Sequence, residues 1–139
     1  MALALLAAAA LAVGGSAKVD AALLAGLPTT QATLSAHGQT ERCEGPALAD
    51  VLARLGVPQG QALHGATLQR GIMVHARDGY AVLFSLGELD AGTGGEAAII
   101  ATRRDGRPLS AEEGPYRLIV PGDKRPARSA RQLESIELR

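Results

Sequence analysis

The chain has 139 residues, enough for about one domain, and with 47% hydrophobic and 20% charged residues it suits a globular protein rather than a disordered one. Lys and Arg (14) cancel Asp and Glu (14), so no charge excess directs it to nucleic acid or an acidic membrane surface. Aromatics are only 2%, with no Trp, which removes a stacking platform for bases and leaves the core to Leu, Val, Ile and Ala.

Residues 2–13 are an unbroken apolar run, followed by Gly14-Gly15-Ser16-Ala17. The run has the length of a signal-peptide core and falls short of the roughly 20 residues that span a bilayer. Gly15 and Ala17 put small residues where signal peptidase reads, although no Lys or Arg precedes the run. The pattern predicts a signal peptide over 1–17, cleavage after Ala17, and a single domain over 18–139 that is periplasmic or secreted. No membrane span is expected after cleavage, and no Leu-x-x-Cys box marks a lipoprotein. Cys43 is the sole cysteine, so it forms no internal disulfide and is expected to be buried and inert.

Residues 29–36 alternate as a strand does and end at His37-Gly38, a turn signal. Gly45-Pro46 is expected to open a helix, with Pro at its first position. Leu48, Val51, Leu52 and Leu55 fall on one face of that helix, Gly56 caps it and Pro58 prevents its continuation. Residues 66–76 read as a strand, Arg77-Asp78-Gly79 as a turn and 80–84 as the returning strand. Ser85-Leu86-Gly87-Glu88 has the form of a capping box and predicts a short helix. A loop over 91–95 precedes a buried strand over 97–102, and Asp105-Gly106 marks another turn. Residues 116–120 and 133–138 read as strands, separated by a charged loop over 121–126. The sum is an α+β domain: a mixed β-sheet structure with short helices.

The stretch from Asp123 to Arg131 carries Lys124, Arg125, Arg128 and Arg131 against one carboxylate, the densest positive patch in a neutral chain. Guanidinium forks and backbone N–H groups of a turning chain suit a phosphate; a solvated basic loop is the plainer reading. Neither Ser35 nor Ser85 has a His and an acid in a nucleophile motif, so a hydrolase has no support. His64 and His75 have no partner at ligand spacing.

The order of motifs in the second half is more specific. Asp105-Gly106-Arg107-Pro108-Leu109 is followed by Glu113-Gly114-Pro115-Tyr116-Arg117-Leu118-Ile119-Val120-Pro121-Gly122, then by Ala127-Arg128-Ser129-Ala130-Arg131-Gln132-Leu133 and a final strand. This resembles the molybdopterin-binding domain of the sulfite oxidase family, with its Asn-Gly-x-Pro-Leu, Gly-x-Pro-x-Arg-Leu-x-x-Pro-Gly and Gly-Ala-Arg-x-x-Lys-Trp-Leu segments. The helix after Gly45 resembles the family's Gly-Val-Pro-Leu helix, and the likeness runs from about Ala32 to Leu138. It implies a sulfite oxidase-type molybdopterin-domain fold and a basic segment that holds the pterin phosphate. Arg128 then matches the family's Arg, with Ser129 beside it, and Arg131 matches its Lys.

The departures are as informative. The family's metal-ligating cysteine lies in a Leu-x-Cys-x-Gly-Asn strand end, and here Leu34-Ser35-Ala36-His37-Gly38-Gln39 falls in register. Ala36 takes the cysteine's position, and a methyl group cannot ligate molybdenum. Cys43, seven residues on, is no substitute, and Gln132 replaces the Trp. His37 beside the vacated position is a candidate for holding a ligand oxyanion, against the plainer reading of a turn histidine. The candidate binding residues are therefore His37, Arg128, Ser129 and Arg131, with no catalytic residue and no metal ligand. The resemblance implies molybdopterin as cofactor, while Ala36 argues against molybdenum. Three readings follow. The first is a binding module for a pterin, another anionic small molecule or a partner protein. The second is a molybdopterin-dependent oxidoreductase that holds its cofactor without a protein thiolate. The third is a structural partner of an exported redox protein. Fold alone does not choose among them.

Overall fold

The computed structural model describes residues 10–139; residues 1–9, which carry most of the apolar run read as a leader, lie outside the described residues. In chain order the first elements are β1 (Ser16–Lys18), α1 (Ala21–Leu24), β2 (Thr29–Ala36), β3 (Gln39–Pro46) and α2 (Leu48–Arg54). Then follow β4 (Gly71–Ala76), β5 (Ala81–Ser85), α3 (Leu86–Leu89), β6 (Ile99–Ala101), β7 (Arg103–Arg104), β8 (Arg107–Pro108), β9 (Arg117–Ile119) and β10 (Leu133–Leu138). Short 3₁₀ turns occupy Gly60–Ala62, Gly65–Gln69 and Pro126–Arg128. The strands form antiparallel sheets in the orders β1-β10-β4-β5, β2-β3-β7-β8 and β6-β9. The α+β architecture with short helices is thus the one expected.

β2 follows its alternation: Ala32 and Leu34 are buried, while Gln31, Thr33 and Ser35 face outward. Its partner β3 is a strand that the sequence hides, because Thr40, Arg42 and Glu44 form a polar outer face and only Cys43, Gly45 and Pro46 are buried. Gly45 and Pro46 therefore end β3, opposite Thr30 and Thr29, instead of opening the helix. Pro is tolerated at a strand end because it forfeits few ladder bonds. Gly45 is required there: a Cβ would stand 1.9 Å from the Ile100 carbonyl oxygen of the crossing strand β6. α2 starts two residues later, at Leu48, with Ala47 as its N-cap. It buries Leu48, Val51 and Leu52, each contributing about 1.5–3 kcal/mol of transfer free energy. Gly56, at φ 71, lets the chain turn away in the left-handed conformation.

The strand expected over 66–76 begins only at Gly71. The preceding residues form the 3₁₀ turn, held where the His64 N–H donates to Thr67 Oγ1 at 2.8 Å. The capping box at Ser85 has both its bonds: the Glu88 N–H donates to Ser85 Oγ at 3.0 Å and the Ser85 N–H to Glu88 Oε2 at 2.9 Å.

The residues just before Lys18 belong to the folded domain. The Leu11 N–H donates to the Leu55 carbonyl at 2.8 Å, and the Gly14 N–H to the Leu138 carbonyl at 2.7 Å. β1 pairs with β10 through Ser16 with Glu137, Ala17 with Ile136 and Lys18 with Ser135. The cut expected after Ala17 thus falls inside β1, between two residues paired to the last strand.

The main core joins α2, the β1-β10-β4-β5 sheet and β9 through Leu48, Val51, Ile72, Val74, Phe84, Leu118 and Ile136. A smaller core under the β2–β3 hairpin holds Ala32, Leu34, Cys43, Ile99, Ala101 and Ile119. Together they fix the hairpin and the chain after β9, the two segments that form the candidate site. Among the described residues no helix is long and apolar enough to cross a membrane.

Candidate functional site

β2 and β3 run in register to their ends, so Ala36 pairs with Gln39 and only His37 and Gly38 remain to make the turn. A two-residue hairpin turn of this kind needs positive φ at both positions, and His37 and Gly38 have φ of 51 and 75. Ala36 is half-buried at the last rung and His37 is exposed at the tip. Cys43 pairs with Ala32, four rungs back, or about 13 Å along the strand at 3.3 Å per residue. Its side chain is 1% exposed in the smaller core, and burial pushes its thiol above the ordinary value. The thiol is sealed and remote from the turn.

The chain after β9 places the predicted binding residues differently from one another. Arg128 is held by carboxylates. Its Nε and Nη2 donate to the two oxygens of Asp123 at 2.9 Å each, and its Nη1 donates to Glu88 at 2.6 Å. The guanidinium carbon lies 4.5 Å from the centre of the Phe84 ring. The Asp123 bonds hold its pKa well above the usual arginine value. Ser129 is buried: its hydroxyl accepts from the Val120 N–H at 3.0 Å and its carbonyl accepts from Arg117 Nε at 3.1 Å, which ties the segment to β9. Arg131 is exposed and lines a hollow of about 260 Å³ with Asp78, Tyr80, Arg117 and Ser129.

His37 lines another hollow, of about 490 Å³, between the β2–β3 turn and the start of the last 3₁₀ turn. Residues 35–40 line one side of it, and Lys124, Arg125 and Pro126 the other. Pro126 borders both hollows. The structure thus brings Ser129 and Arg131 together, sets His37 apart with Lys124 and Arg125, and gives Arg128 to an internal ion cluster.

One network was not anticipated from sequence. Arg117 and Glu113 are each 5% exposed, and Arg117 Nη1 donates to Glu113 Oε1 at 2.6 Å. The same oxygen accepts from Arg104 Nη1 at 2.7 Å, and Arg104 also reaches Glu41 at 3.0 Å. The network pins β9, β7 and β3 to one another beneath the hairpin. The four-residue spacing of Glu113 and Arg117 was its only sequence signal, and Pro115 between them removes the helix in which that spacing has meaning.

The resemblance puts the family's metal-ligating thiolate at the hairpin end. Ala36 offers a methyl group there and the Cys43 thiol is enclosed elsewhere, so these residues do not fit a thiolate-held metal. Among the described residues no three His, Cys, Asp or Glu side chains gather as metal ligands would. The donor set suits an anion: cationic and hydroxyl groups beside a turn.

A family model described as the oxidoreductase molybdopterin-binding domain matches residues 18–139. No curated protein matches the chain. The match spans nearly all of the fold described above, including the hairpin, the buried β9 and the closing strand, and agrees with the sulfite oxidase-type resemblance of the motifs. The chain belongs to the oxidoreductase molybdopterin-binding domain family.

Proposed function

We propose that this chain is an exported member of the family that binds a pterin or another anionic ligand, or a partner protein, without cysteine-ligated molybdenum chemistry. The observation that carries the reading is Ala36 at the last rung of the β2–β3 hairpin, with the only thiol 1% exposed in a separate core. The family match spans nearly the whole folded domain, and a buried ion network ties its strands together beneath the hairpin. What remains at the hairpin end is suited to binding: a rigid turn, hydroxyl groups and cations. Export rests on the apolar run at the N-terminus.

The chemistry that this chain's own residues can perform is electrostatic and positional. Cations from residues 124–131 attract an anion, and the hairpin turn sets the wall against which it sits. Protein purified from a host that makes the molybdenum cofactor tests the reading. Sulfite oxidation should be absent, and any pterin released on denaturation should come without a matching amount of metal. Sulfite turnover by the purified protein would overturn it in favour of the oxidoreductase.

A further inference from the structure

We infer that β2 is an interaction edge, along which a second copy of this chain adds its own β2 antiparallel about a twofold axis. The inference goes beyond the binding role proposed above and stands whichever ligand that role involves.

The first ground is an uncovered edge. The orders of the two four-stranded sheets leave β1, β5, β2 and β8 at their edges. An exposed edge pairs readily with another chain, and short length, charge or proline usually guards it. β1 has 3 residues and ends in Lys18. β8 is Arg107 and Pro108 alone. β5 has 5 residues, and the Ser85 N–H at its end is taken by Glu88 Oε2 at 2.9 Å. β2 has none of these guards. It runs for 8 residues, Thr29–Ala36, with no charged residue and no proline, and its register with β3 is unbroken. Thr29, Thr30, Gln31, Thr33 and Ser35 are exposed.

The second ground is the direction of the free backbone groups. On the far side of β3 the Glu44 carbonyl accepts from the Thr102 N–H at 2.8 Å, and the Arg42 carbonyl from the Asp105 N–H at 2.9 Å. Backbone groups alternate sides along a strand, so β3 turns those of Glu41 and Cys43 toward β2, where their partners are Leu34 and Ala32. The N–H and C=O groups of Thr29, Gln31, Thr33 and Ser35 therefore point away from β3. Among the described residues no backbone hydrogen bond from another segment reaches them.

A second copy supplies the matching row. With the twofold at Ala32, Thr29 faces Ser35 and Gln31 faces Thr33 of the other copy, which uses every outward-pointing residue of β2. Hydroxyl and amide side chains then pair across the outer face, with no charge set against a like charge. Ala32 meets its own equivalent with a methyl group, so the two strands can close to ladder spacing. The result is one continuous sheet, β8-β7-β3-β2-β2-β3-β7-β8. Because the row is self-complementary, the partner it fits is a second copy, and the contact closes at the dimer. One strand pair lies at the small end of specific interfaces, so the association is reversible and depends on concentration.

Sedimentation equilibrium and amide hydrogen exchange, each run from micromolar to millimolar protein, test the proposal. The mean mass should rise toward twice that of one chain. Exchange at Gln31, Thr33 and Ser35 should slow in step, while Leu83 on the β5 edge exchanges at a constant rate. Thr33→Pro removes an N–H that only the second copy would use and spares the ladder to β3. It should weaken self-association about tenfold or more, since each copy loses a hydrogen bond across the twofold. Should that variant unfold below the wild-type temperature, two charged variants decide. Gln31→Lys lies opposite Glu44 and Thr33→Glu opposite Arg42, so both suit their own copy. Each should weaken self-association about two- to fivefold, and a mixture of the two should recover it, because the new charges then face each other. A chain that is monomeric at every concentration would overturn the proposal and leave the edge to a strand of a different protein. So would a dimer whose β2 amides exchange no more slowly, a folded Thr33→Pro that associates as wild type does, or charged variants that do so.

Discussion

Arg128 grips both carboxylate oxygens of Asp123, at 2.9 Å each, and so closes the chain after β9 back on itself. The pair has a consequence in acid. Arg128 holds the Asp123 carboxyl below the usual aspartate value. Burial pulls Glu88 upward, but the bonds from Arg128 and Ser85 outweigh it and bring its carboxyl below the ordinary value too. A carboxyl depressed in the folded state stabilises the protein above the unfolded value, near pH 4, and loses that contribution as pH falls through the folded value. The unfolding temperature should therefore drop between about pH 4 and pH 2, and Asp123→Asn should flatten that drop. An acid limb of unchanged slope in the variant would contradict the assignment.

Glu113 should be the most sensitive polar position in the fold. Its Oε1 accepts from Arg117 and Arg104 inside the protein, and its Oε2 is buried without a partner. Glu113→Gln keeps the shape and leaves Arg117 charged and buried, a change that costs about 3–5 kcal/mol when one member of such a pair is removed. Urea unfolding at constant m-value reads this as a lower midpoint. A loss under about 1 kcal/mol, the range of an exposed pair, would show the network to be slack.

The two positions that bear on the metal question differ in access. Cys43 is 1% exposed with its thiol pushed up by burial, so a thiol reagent should label it only as fast as the protein unfolds. Ala36→Cys places a thiol at the half-buried end of the hairpin, and it should react with the folded protein well before Cys43 does. Equal labelling rates at both positions would mean that the hairpin register is wrong.

How far the sequence was legible depended on the range of the signal. The capping box at Ser85 and Glu88, the Asp-Gly turns and the alternation of β2 are local, and each appears where the residues place it. β3 was missed because its outer face is polar and its inward face carries Cys43 between Glu41 and Gly45, with no large apolar side chain. β1 was missed because it is 3 residues long and lies beside an apolar run. In the candidate site the density of cations was readable, but their pairing was not. Arg128 is tied to Glu88 across 40 residues, and no local pattern records that. The lack of a partner for Lys124 and Arg125 is equally a property of the folded arrangement.

The pairing of β1 bears on the proposed cleavage after Ala17. Cleavage after Ala17 would remove Ser16 and Ala17 from their pairing with β10 and with them the bonds of Leu11 and Gly14. N-terminal sequencing of cell fractions tests the proposed export, with a start at Lys18 expected. A start at Lys18 would show that the domain holds together without β1, and an intact Met1 on cytoplasmic protein would remove export.

With Ala36 at the position that the resemblance gives to the metal-ligating cysteine, the proposed reading expects the thiolate link to molybdenum to be lost. Molybdenum per chain, measured on wild type and Ala36→Cys purified side by side from a host with an active cofactor pathway, tests it most directly. Wild type should carry far less than one molybdenum per chain, and Ala36→Cys should gain metal while Cys43→Ser changes nothing. Stoichiometric molybdenum in wild type would contradict the account and make this chain an oxidoreductase that holds its cofactor without a protein thiolate.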